Sequence, residues 1–483
     1  MDQKPRSIFR ACIGGTHQYS SDTDLFILDS PQNERIGVSV NQQDIFASAQ
    51  YVIFHPILSE PFEARAGYLL YLKKLLKYVG LEKRKYTKAQ IEFYQNKLCD
   101  GQELHRGNWY VSFNSEFCSL IPYDLAAMLG FRTKVIQSEK INRIIDKIIS
   151  DFALTKEHAA FLSKAFDSVT GDPVTWEEVF DSKFAKGFKR YLNLIKRDID
   201  FIRDTPYKVF ITATMSAGKS TLINALVGAN ISRMQNLACT SKIHTIISKP
   251  FNDGVISEYD HNLSFDATQA ELLNDNEDNF LNRITVGVYF NGRLSGKRIV
   301  LLDSPGVNSS ENTEHTAITQ RIIKSKKYRL LLYVLNATNL SSNDEKIHLE
   351  TVRKYLGRTK IIFIMNKVDQ LISEGENCFE TIENQRKFLE SKGFKNPIIF
   401  PVSSHAAYLA KKSQQEGLSR LEQRELNNYI DKFESQSMRL YYSQQLGYPP
   451  MSSKNTAKSL LINSGFAYLE KIIKLYCDGG KEK

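Results

Sequence analysis

No run of about 18 apolar residues occurs anywhere in the 483-residue chain, so no segment is predicted to cross a membrane as a helix. Residues 1–7 also lack the apolar core of a secretory signal. The six cysteines are scattered without a Cys-x-x-Cys pair, which argues against a disulfide framework or a zinc site and is typical of a reducing compartment. Together these absences predict a cytoplasmic protein with an ordinary core, since 42% of its residues are hydrophobic.

Positive charge is in excess, because 64 lysines and arginines stand against 54 aspartates and glutamates, for a net charge of +10. Such an excess suits either an anionic lipid surface or nucleic acid, and charge alone does not separate the two. Part of it lies where leucines recur at helical spacing beside basic residues at 73, 74, 77 and 83–85. We interpret this pattern as a core-facing stripe with a solvated basic face, in preference to a membrane-surface helix. No RNA-binding signature is present, so a nucleic-acid partner is not expected.

A phosphate-binding sequence occupies residues 213–221, which read Ala-Thr-Met-Ser-Ala-Gly-Lys-Ser-Thr between a short apolar run and a helix-like segment. In such a strand–loop–helix unit, backbone N–H groups and the helix N-terminus point at phosphates. Lys219 adds a mobile cation, and Ser220 adds a hydroxyl for Mg²⁺. Ala213 stands where the G-x-x-x-x-G-K-[ST] pattern has its first glycine, whereas Gly218 is retained. The segment is expected to hold a nucleoside triphosphate.

Two further motifs follow apolar runs that are typical of buried parallel strands. Residues 366–369 read Asn-Lys-Val-Asp, and the Asp369 carboxylate can accept two hydrogen bonds from the N1–H and amine of guanine, a pair of donors that adenine lacks. Residues 303–306 read Asp-Ser-Pro-Gly. There Asp303 is expected to help hold Mg²⁺ and the Gly306 N–H to contact a γ-phosphate. Because ligands bind at the carboxyl ends of strands in open α/β sheets, the three motifs should meet at one edge.

In chain order these three motifs resemble the GTPase domain of dynamin-like large GTPases, especially bacterial ones. The resemblance implies a P-loop α/β fold with a mostly parallel sheet, GTP and Mg²⁺ as ligands, and hydrolysis of GTP to GDP and phosphate. It implies Ser216 and Thr240 as catalytic residues, with Thr240 joining Ser220 and Asp303 around the metal. The residues that it places against the nucleotide are Ser216, Ala217, Gly218, Lys219, Ser220, Thr221, Gly306, Asn366, Lys367, Asp369, Ser403 and Ser404. For the two serines at 403 and 404, capping of the next helix is an equally good interpretation.

The chain departs from the family pattern at Met215, where dynamins usually have a glutamine before the loop serine. A thioether cannot orient water as an amide does, so hydrolysis is expected to be slow or to depend on a partner. Family members commonly complete catalysis by pairing two GTPase domains, which predicts a homodimer or a larger assembly. Helices that follow the GTPase domain in the family, and that form a stalk touching membranes, are missing here, so either a protein partner completes the stalk or none exists.

The predicted organisation has three parts. Residues 1–133 form an α+β domain of unknown role, with strands near 7–13, 24–28 and 109–113 and a helix near 43–53. Residues 134–205 form a helical segment, a partial stalk or bundle, with apolar periodicity at 141–152 and 180–202. Residues 206–483 form a dynamin-type GTPase domain, because Pro206 ends a helix and the first strand follows at once.

Within the last part, Asn291 and Gly292 separate two strand-like runs, which predicts an antiparallel hairpin inside an otherwise parallel sheet. A polar helical segment is expected at 411–445, and a closing helix near 464.

The sequence is compatible with three different functions. The first is a GTP-hydrolysing mechanoenzyme or switch that acts at or near membranes. The second is a GTP-gated interaction scaffold with little turnover. The third, suggested by charge alone, is an RNA- or ribosome-associated GTPase.

Overall fold

The computed structural model describes residues 42–102, 104, 113–131, 138–170, 175–232, 243–259, 262–274, 283–306, 313–373, 378–415 and 417–479. Its centre is a nine-stranded sheet in the order β4-β3-β5-β2-β6-β1-β7-β8-β9. The strands are β1 (Tyr207–Ala213), β2 (Ile243–Ser248), β3 (Ser257–Tyr259), β4 (Leu263–Ser264), β5 (Arg283–Val288), β6 (Ile299–Asp303), β7 (Leu330–Asn336), β8 (Lys360–Asn366) and β9 (Ile399–Val402).

Parallel pairing joins β6, β1, β7, β8 and β9, as the apolar runs predict. These strands are buried on both faces, which explains why they read as continuous hydrophobic runs with no alternation. Their register places the last residue of β7, Asn336, opposite Asn366 at the end of β8. Asn366 in turn lies opposite Val402 at the end of β9. The α/β class with a mostly parallel sheet is therefore confirmed.

The hairpin predicted at Asn291 and Gly292 is wrong. β5 and β6 run in opposite directions but are not neighbours, because β2 lies between them, parallel to β5 and antiparallel to β6. The Asn291 N–H donates to the Val227 carbonyl (2.7 Å) and its own carbonyl accepts from Lys411 (2.9 Å), so tertiary contacts hold this connection across the end of β2. The remainder of the sheet is not wholly parallel either, since β3 pairs antiparallel with both β4 and β5.

Helices make up the elements described before β1. They are α1 (Gln42–Ala47), α2 (Phe62–Tyr78), α3 (Lys85–Leu98), α4 (Ile121–Met128), α5 (Ser138–Phe152), α6 (Lys156–Thr170), α7 (Thr175–Asp181) and α8 (Lys189–Arg203). Short 3-10 turns add Tyr51–Phe54, Pro56–Ser59, Ser115–Leu120 and Lys183–Phe188. The strands predicted at 7–13 and 24–28, and most of the one at 109–113, lie outside the described residues.

Both periodic segments before β1 are helical, but the second is interrupted. α5 buries Ile144, Ile145 and Ile148 as its spacing predicts. The pattern over 180–202 was predicted as one helix, whereas α7 ends at Asp181 and α8 begins at Lys189. Ser182 causes the break, because its hydroxyl accepts the Phe184 N–H (3.3 Å) and starts a 3-10 turn in place of another α-helical turn. The predicted solvated basic helix corresponds to α2, which buries Leu69, Leu72 and Leu76.

Eleven helices of the described chain follow β1. They are α9 (Lys219–Val227), α10 (Gln269–Asn274), α11 (Thr313–Ser325), α12 (Asn343–Tyr355), α13 (Val368–Ser373), α14 (Cys378–Ser391), α15 (Ser404–Lys412), α16 (Arg420–Ser435), α17 (Arg439–Gln444), α18 (Thr456–Asn463) and α19 (Phe466–Cys477). The polar segment predicted at 411–445 is helical in α16 and α17, and the closing helix is α19. Within the described ranges, no helix combines the length and apolarity that crossing a bilayer requires.

Asp124 organises the core of the helical region. It is fully buried in α4, and its carboxylate accepts hydrogen bonds from the hydroxyls of Tyr68, Tyr94 (3.0 Å) and Tyr191 (3.2 Å). The Nε2 of His55 lies 3.0 Å from the same carboxylate, while its Nδ1 accepts the Ile57 N–H. Four donors compensate the desolvation of one buried charge and fix α2, α3, α4 and α8 around it.

A second polar contact joins the helical region to the sheet through residues 48–50, where the predicted 43–53 helix is broken. Asp198 of α8 accepts from the Ser48 hydroxyl (2.6 Å) and the Ala49 N–H (2.8 Å). The Gln50 N–H donates to Asp253 (2.8 Å), which is paired with Lys249 just after β2 (2.7 Å). All of these side chains are buried. These bonds replace helical ones, which explains why α1 ends at Ala47.

Candidate functional site

The phosphate-loop residues follow β1 and lead into α9, whose first residue is Lys219. Ser216 and Gly218 both have positive φ, 59° and 83°. A Cβ at Gly218 would lie 2.3 Å from the Asn366 Nδ2, so no larger residue fits there without displacing the loop. Ala213 is tolerated in place of glycine because it is the last residue of β1, paired with Val334, and its methyl is buried in the core.

Lys219 and Asp303 meet behind this loop. Asp303 is the last residue of β6, opposite Ile211 of β1, and its Oδ1 accepts a hydrogen bond from the Lys219 ammonium. The two side chains are 7% and 0% exposed. The Asp303 Oδ2 is buried and has no hydrogen-bond partner, an arrangement that suits a carboxylate oxygen available to a hard cation or its water shell. Ser220 follows Lys219 in α9 and is partly buried. A hydroxyl and a carboxylate oxygen are ligand types that fit Mg²⁺.

Asn366, the first residue of the Asn-Lys-Val-Asp motif, contacts both the phosphate loop and the loop after β9. Its Nδ2 donates to the Ala217 carbonyl (3.0 Å), and its Oδ1 accepts the Ser404 N–H (3.0 Å). One buried side chain at the end of β8 therefore joins the loop after β1 to the loop after β9. The three strand ends meet at one edge of the sheet, as their parallel order requires.

The remaining residues of this motif lie close by. Lys367 has φ 65°, and its Cε lies 3.8 Å from the position that a Cβ would take at Gly218. Asp369 is in the first turn of α13 and is 8% exposed. Lys432 of α16 donates to its backbone carbonyl (3.2 Å). Burial, and then the charge of Asp369, raises the pKa of Tyr429 above its usual range.

Ser403 and Ser404 differ in what they contact. The Ser403 hydroxyl accepts the Ala406 N–H (3.4 Å) and caps α15, so the capping interpretation applies to this residue. The Ser404 backbone N–H is used by Asn366, and its hydroxyl is buried without a hydrogen-bond partner.

The other predicted site residues are placed as follows. Gly306 packs against Met215, whose Cγ lies 3.5 Å from the position of a Cβ at Gly306. Thr221 lies in the first turn of α9, partly buried. Thr240 falls outside the described residues. Sequence reasoning missed Asn336, whose Nδ2 lies 3.5 Å from the Ser216 carbonyl, although a polar residue that closes the apolar run of β7 was a usable signal.

Part of the chain is similar in sequence to known proteins. A family model described as the Dynamin family matches residues 209–368, from β1 to the start of α13. Over these residues, about a third of its length, the chain is similar to dynamin-family proteins.

Three relatives share parts of this chain. An uncharacterized protein in the xynA 3′ region of Caldicellulosiruptor sp. (strain Rt8B.4) is 27% identical over 248 residues, 50% of this chain and 58% of the relative. The mitofusin FZO1 of Saccharomyces cerevisiae is 26% identical over 241 residues, 44% and 27% of the two chains. A bacterial dynamin-like protein of Nostoc punctiforme is 24% identical over 179 residues, 34% and 25%. The chain thus spans 58% or less of the length of these three relatives.

Among solved structures, an oligomerised bacterial dynamin pair, reported in connection with long-range sensing and tethering of membranes, aligns with 92% of this chain and 63% of its own. The sequence identity is 14% and the TM-score is 0.34.

Proposed function

We propose that this protein binds GTP with Mg²⁺ and hydrolyses the nucleotide to GDP and phosphate. The observation that supports this most directly is the double role of Asn366, which hydrogen-bonds the phosphate loop and the loop after β9 at once. This contact brings a phosphate-binding loop and a guanine-type carboxylate, Asp369, to the same strand ends. A triphosphate on the loop would extend its base toward that carboxylate.

Phosphoryl transfer requires mainly positioning and charge stabilisation from a protein. In this proposal the N–H groups of residues 216–221 and the Lys219 ammonium bind the phosphates. Ser220 and Asp303 would hold the metal, with Thr240 as the further ligand that the family resemblance implies. When bound, Mg²⁺ neutralises charge on the β- and γ-phosphates. Ser216 and Thr240 stay our predicted catalytic residues, and the Gly306 N–H would contact the γ-phosphate.

Guanine recognition is proposed at the opposite end of the site. The Asp369 carboxylate would accept hydrogen bonds from the N1–H and the amine of the base. Lys367, held over Gly218 by its positive φ, would cover the nucleotide, and Asn366 would fix the phosphate loop beneath it. Ser403 and Ser404 would complete the base contacts from the loop after β9.

Turnover is proposed to depend on assembly. Met215, against Gly306, occupies the place from which an amide would orient water, and a thioether cannot do so. Pairing of two GTPase domains across the nucleotide would supply the missing group, so the rate per molecule should rise with protein concentration. A constant rate from dilute to concentrated solution would contradict a homodimeric active form. The same Met215 contact favours a second candidate function, a GTP-gated scaffold that binds GTP and releases little phosphate.

The wider organisation is proposed on the same basis. Residues 206–483 would act as the GTPase domain and 134–205 as a partial stalk or bundle, with 1–133 as a further domain of unknown role. A cytoplasmic location at the periphery of an anionic membrane is proposed, with the net charge of +10 in support. A protein partner that completes the stalk is proposed from the resemblance to dynamin-like proteins. Liposomes of anionic and of neutral lipid, added to the hydrolysis assay, test the membrane part of this proposal.

The experiment that tests the nucleotide assignment uses Asp369→Asn. The amide reverses one hydrogen-bond polarity, so preference should shift from GTP toward xanthosine triphosphate, by about tenfold or more for one charge-assisted bond. Asp146→Asn, on the exposed side of α5, is the matched control and should leave GTP preference unchanged. Competition titrations of GTP, xanthosine triphosphate and ATP measure the result. If Asp369→Asn keeps full selectivity for guanine, Asp369 is not in the base site.

A further inference from the structure

Three buried polar side chains, His348, Thr212 and Ser304, lie next to one another at the end of β1, just before the phosphate loop. The Nε2 of His348, in α12, lies 2.9 Å from the Thr212 hydroxyl of β1. The Ser304 hydroxyl in turn lies 3.4 Å from both the Thr212 hydroxyl and the Ile211 carbonyl, and its single proton can be donated to either. His348 is 3% exposed, and Thr212 and Ser304 are fully buried.

Both hydroxyls flank site residues. Thr212 is followed by Ala213 and the phosphate loop, and Ser304 follows Asp303 directly. The next residue, Pro305, is also anchored, because its carbonyl accepts from Thr319 of α11 (3.4 Å). Side-chain bonds therefore hold the turn 303–306 to β1 through Ser304 and to α11 through Thr319, and His348 contacts the Thr212 hydroxyl that Ser304 approaches.

Burial keeps His348 neutral, since it lowers the pKa of this side chain to about 4. A neutral imidazole can accept the Thr212 O–H or donate to its oxygen, so the contact persists across the physiological pH range. An apolar residue would fill the same space between α12 and the sheet but would leave the Thr212 hydroxyl without this partner. Burying three polar side chains costs free energy, which their hydrogen bonds must offset. This cost favours a role for the geometry that the hydrogen bonds impose.

We propose that His348 is a positioning residue of the nucleotide site. It fixes Thr212 and, through Thr212, Ser304, and so sets the turn that contains Asp303 and Gly306 against the phosphate loop. This inference rests on the proposed GTP hydrolysis and deepens it. Because Asp369 and the base loops lie on other strand ends, loss of His348 should reduce kcat while GTP affinity and guanine selectivity change little.

The test compares four single variants and one double variant, His348→Phe with Thr212→Val, of the full chain. His348→Phe keeps a ring beside Tyr333 (ring centroids 5.3 Å apart in the native protein) but removes Nε2, and Thr212→Val removes the hydroxyl at constant shape. His348→Gln restores a polar group at that position. Tyr333→Phe is the matched control, because it removes a neighbouring buried hydroxyl that has no hydrogen-bond partner. GTP turnover, GTP binding and the thermal midpoint are measured for each variant.

His348→Phe and Thr212→Val are each expected to lower kcat by roughly tenfold, the worth of about one hydrogen bond, with GTP affinity within about twofold. The double variant should be no slower than either single one, because both changes break the same chain. His348→Gln should recover part of the rate, and Tyr333→Phe should keep all of it.

Two outcomes overturn the proposal in different ways. If the native chain hydrolyses GTP and both His348→Phe and Thr212→Val keep the native kcat, these residues serve packing alone, even where the thermal midpoint falls. Should the native chain release no phosphate at any protein concentration, the proposed hydrolysis fails and this inference fails with it. Thr212→Val keeps the test valid if His348→Phe does not fold.

Discussion

Gly218 is the residue at which the site has the least space. Its φ of 83° and the Asn366 Nδ2 at 2.3 Å from a virtual Cβ both oppose a side chain. Asn366 cannot move aside easily, since the Ser404 N–H holds its Oδ1. Gly218→Ala should therefore push the phosphate loop away from β8 and weaken GTP binding by at least about tenfold, the loss of one or more hydrogen bonds. Titration with GTP and the thermal midpoint measure the effect.

Gly254→Ala is the control that separates backbone strain from the clash. Gly254 has a similar φ, 72°, but nothing lies within 4 Å of its virtual Cβ. This variant should lose about 1 kcal/mol of stability from the left-handed backbone and keep its GTP affinity. Equal GTP affinity of the two variants would show that the contact between Gly218 and Asn366 does not shape the site.

At the residue scale, the sequence predicted that the three motifs meet at one edge of the sheet, because parallel strands bring their carboxyl ends together. Lys219, Asp303 and Asn366 could be placed at one edge from their order along the chain alone. The contacts between these side chains could not be predicted from the sequence, because such contacts depend on side-chain rotamers and on strand register. The fit of the Ala213 methyl in the core could not be predicted for this reason. The contacts from His348 to Ser304 could not be predicted either, since His348 lies 136 residues from its partner Thr212.

At the scale of secondary-structure elements, the sequence predicted structure correctly where the local conformational preference and the tertiary contacts favour the same element. The apolar runs of β1, β7 and β8 predict buried parallel strands, and they are central strands of the sheet. Asn291 and Gly292 favour a tight turn locally, but β2 takes the position between β5 and β6. The position of β2 between β5 and β6 depends on contacts between residues that are distant in the chain. A two-residue turn signal carries no information about such contacts.

The contact between residues 48–50 and α8 makes the stability of the protein depend on pH. Burial raises the pKa of Asp198 to about 7, and the Asp253 carboxylate adds to the rise, whereas hydrogen bonds from Ser48 and Ala49, together with Lys249, oppose it. In the unfolded chain the pKa returns to about 3.8. Between these values the native protein binds a proton that the unfolded chain releases. Stability from this group is therefore fully present below about pH 4 and is lost as the pH rises through about 7.

Asp198→Asn imitates the protonated acid, because its Oδ1 can accept the Ala49 N–H and its Nδ2 can donate to the Ser48 oxygen. Relative to the native chain, it should gain stability as the pH rises from 5 to 8, by an amount of the order of 1 to 4 kcal/mol. Thermal or denaturant unfolding at both pH values measures the difference. Asp200→Asn, in the same helix but 51% exposed, is the control and should show no such dependence on pH. A pH-independent difference between Asp198→Asn and the native chain would contradict a buried, protonating Asp198.

At the scale of the whole molecule, the described residues form two hydrophobic cores, and one of them is built jointly by the helical region and the sheet. That core contains helical side chains from 45 to 202 together with Ile247 of β2, Val300 of β6 and three residues of the intervening segments. At Gly287 in β5 the Phe46 carbonyl occupies the place of a side chain, 2.1 Å from a virtual Cβ. Because β2 and β6 are interior strands, the helical region cannot unfold without exposing a face of the sheet that carries the proposed nucleotide site.

This shared core predicts that a ligand on the sheet stabilises the helices before it. The two tryptophans of the chain, Trp109 and Trp176, both precede β1, and Trp176 is buried against Tyr123, so tryptophan fluorescence reports on the helical region. GTP with Mg²⁺ at about 100 times its Kd should raise the free energy of unfolding seen by tryptophan by about 2.7 kcal/mol. In Asp369→Asn, xanthosine triphosphate should give this increase and GTP should not. Circular dichroism follows the whole chain in the same samples. An increase seen by circular dichroism, with no change in the tryptophan transition, would mean that the helical region unfolds independently and that the shared core does not couple it to the nucleotide.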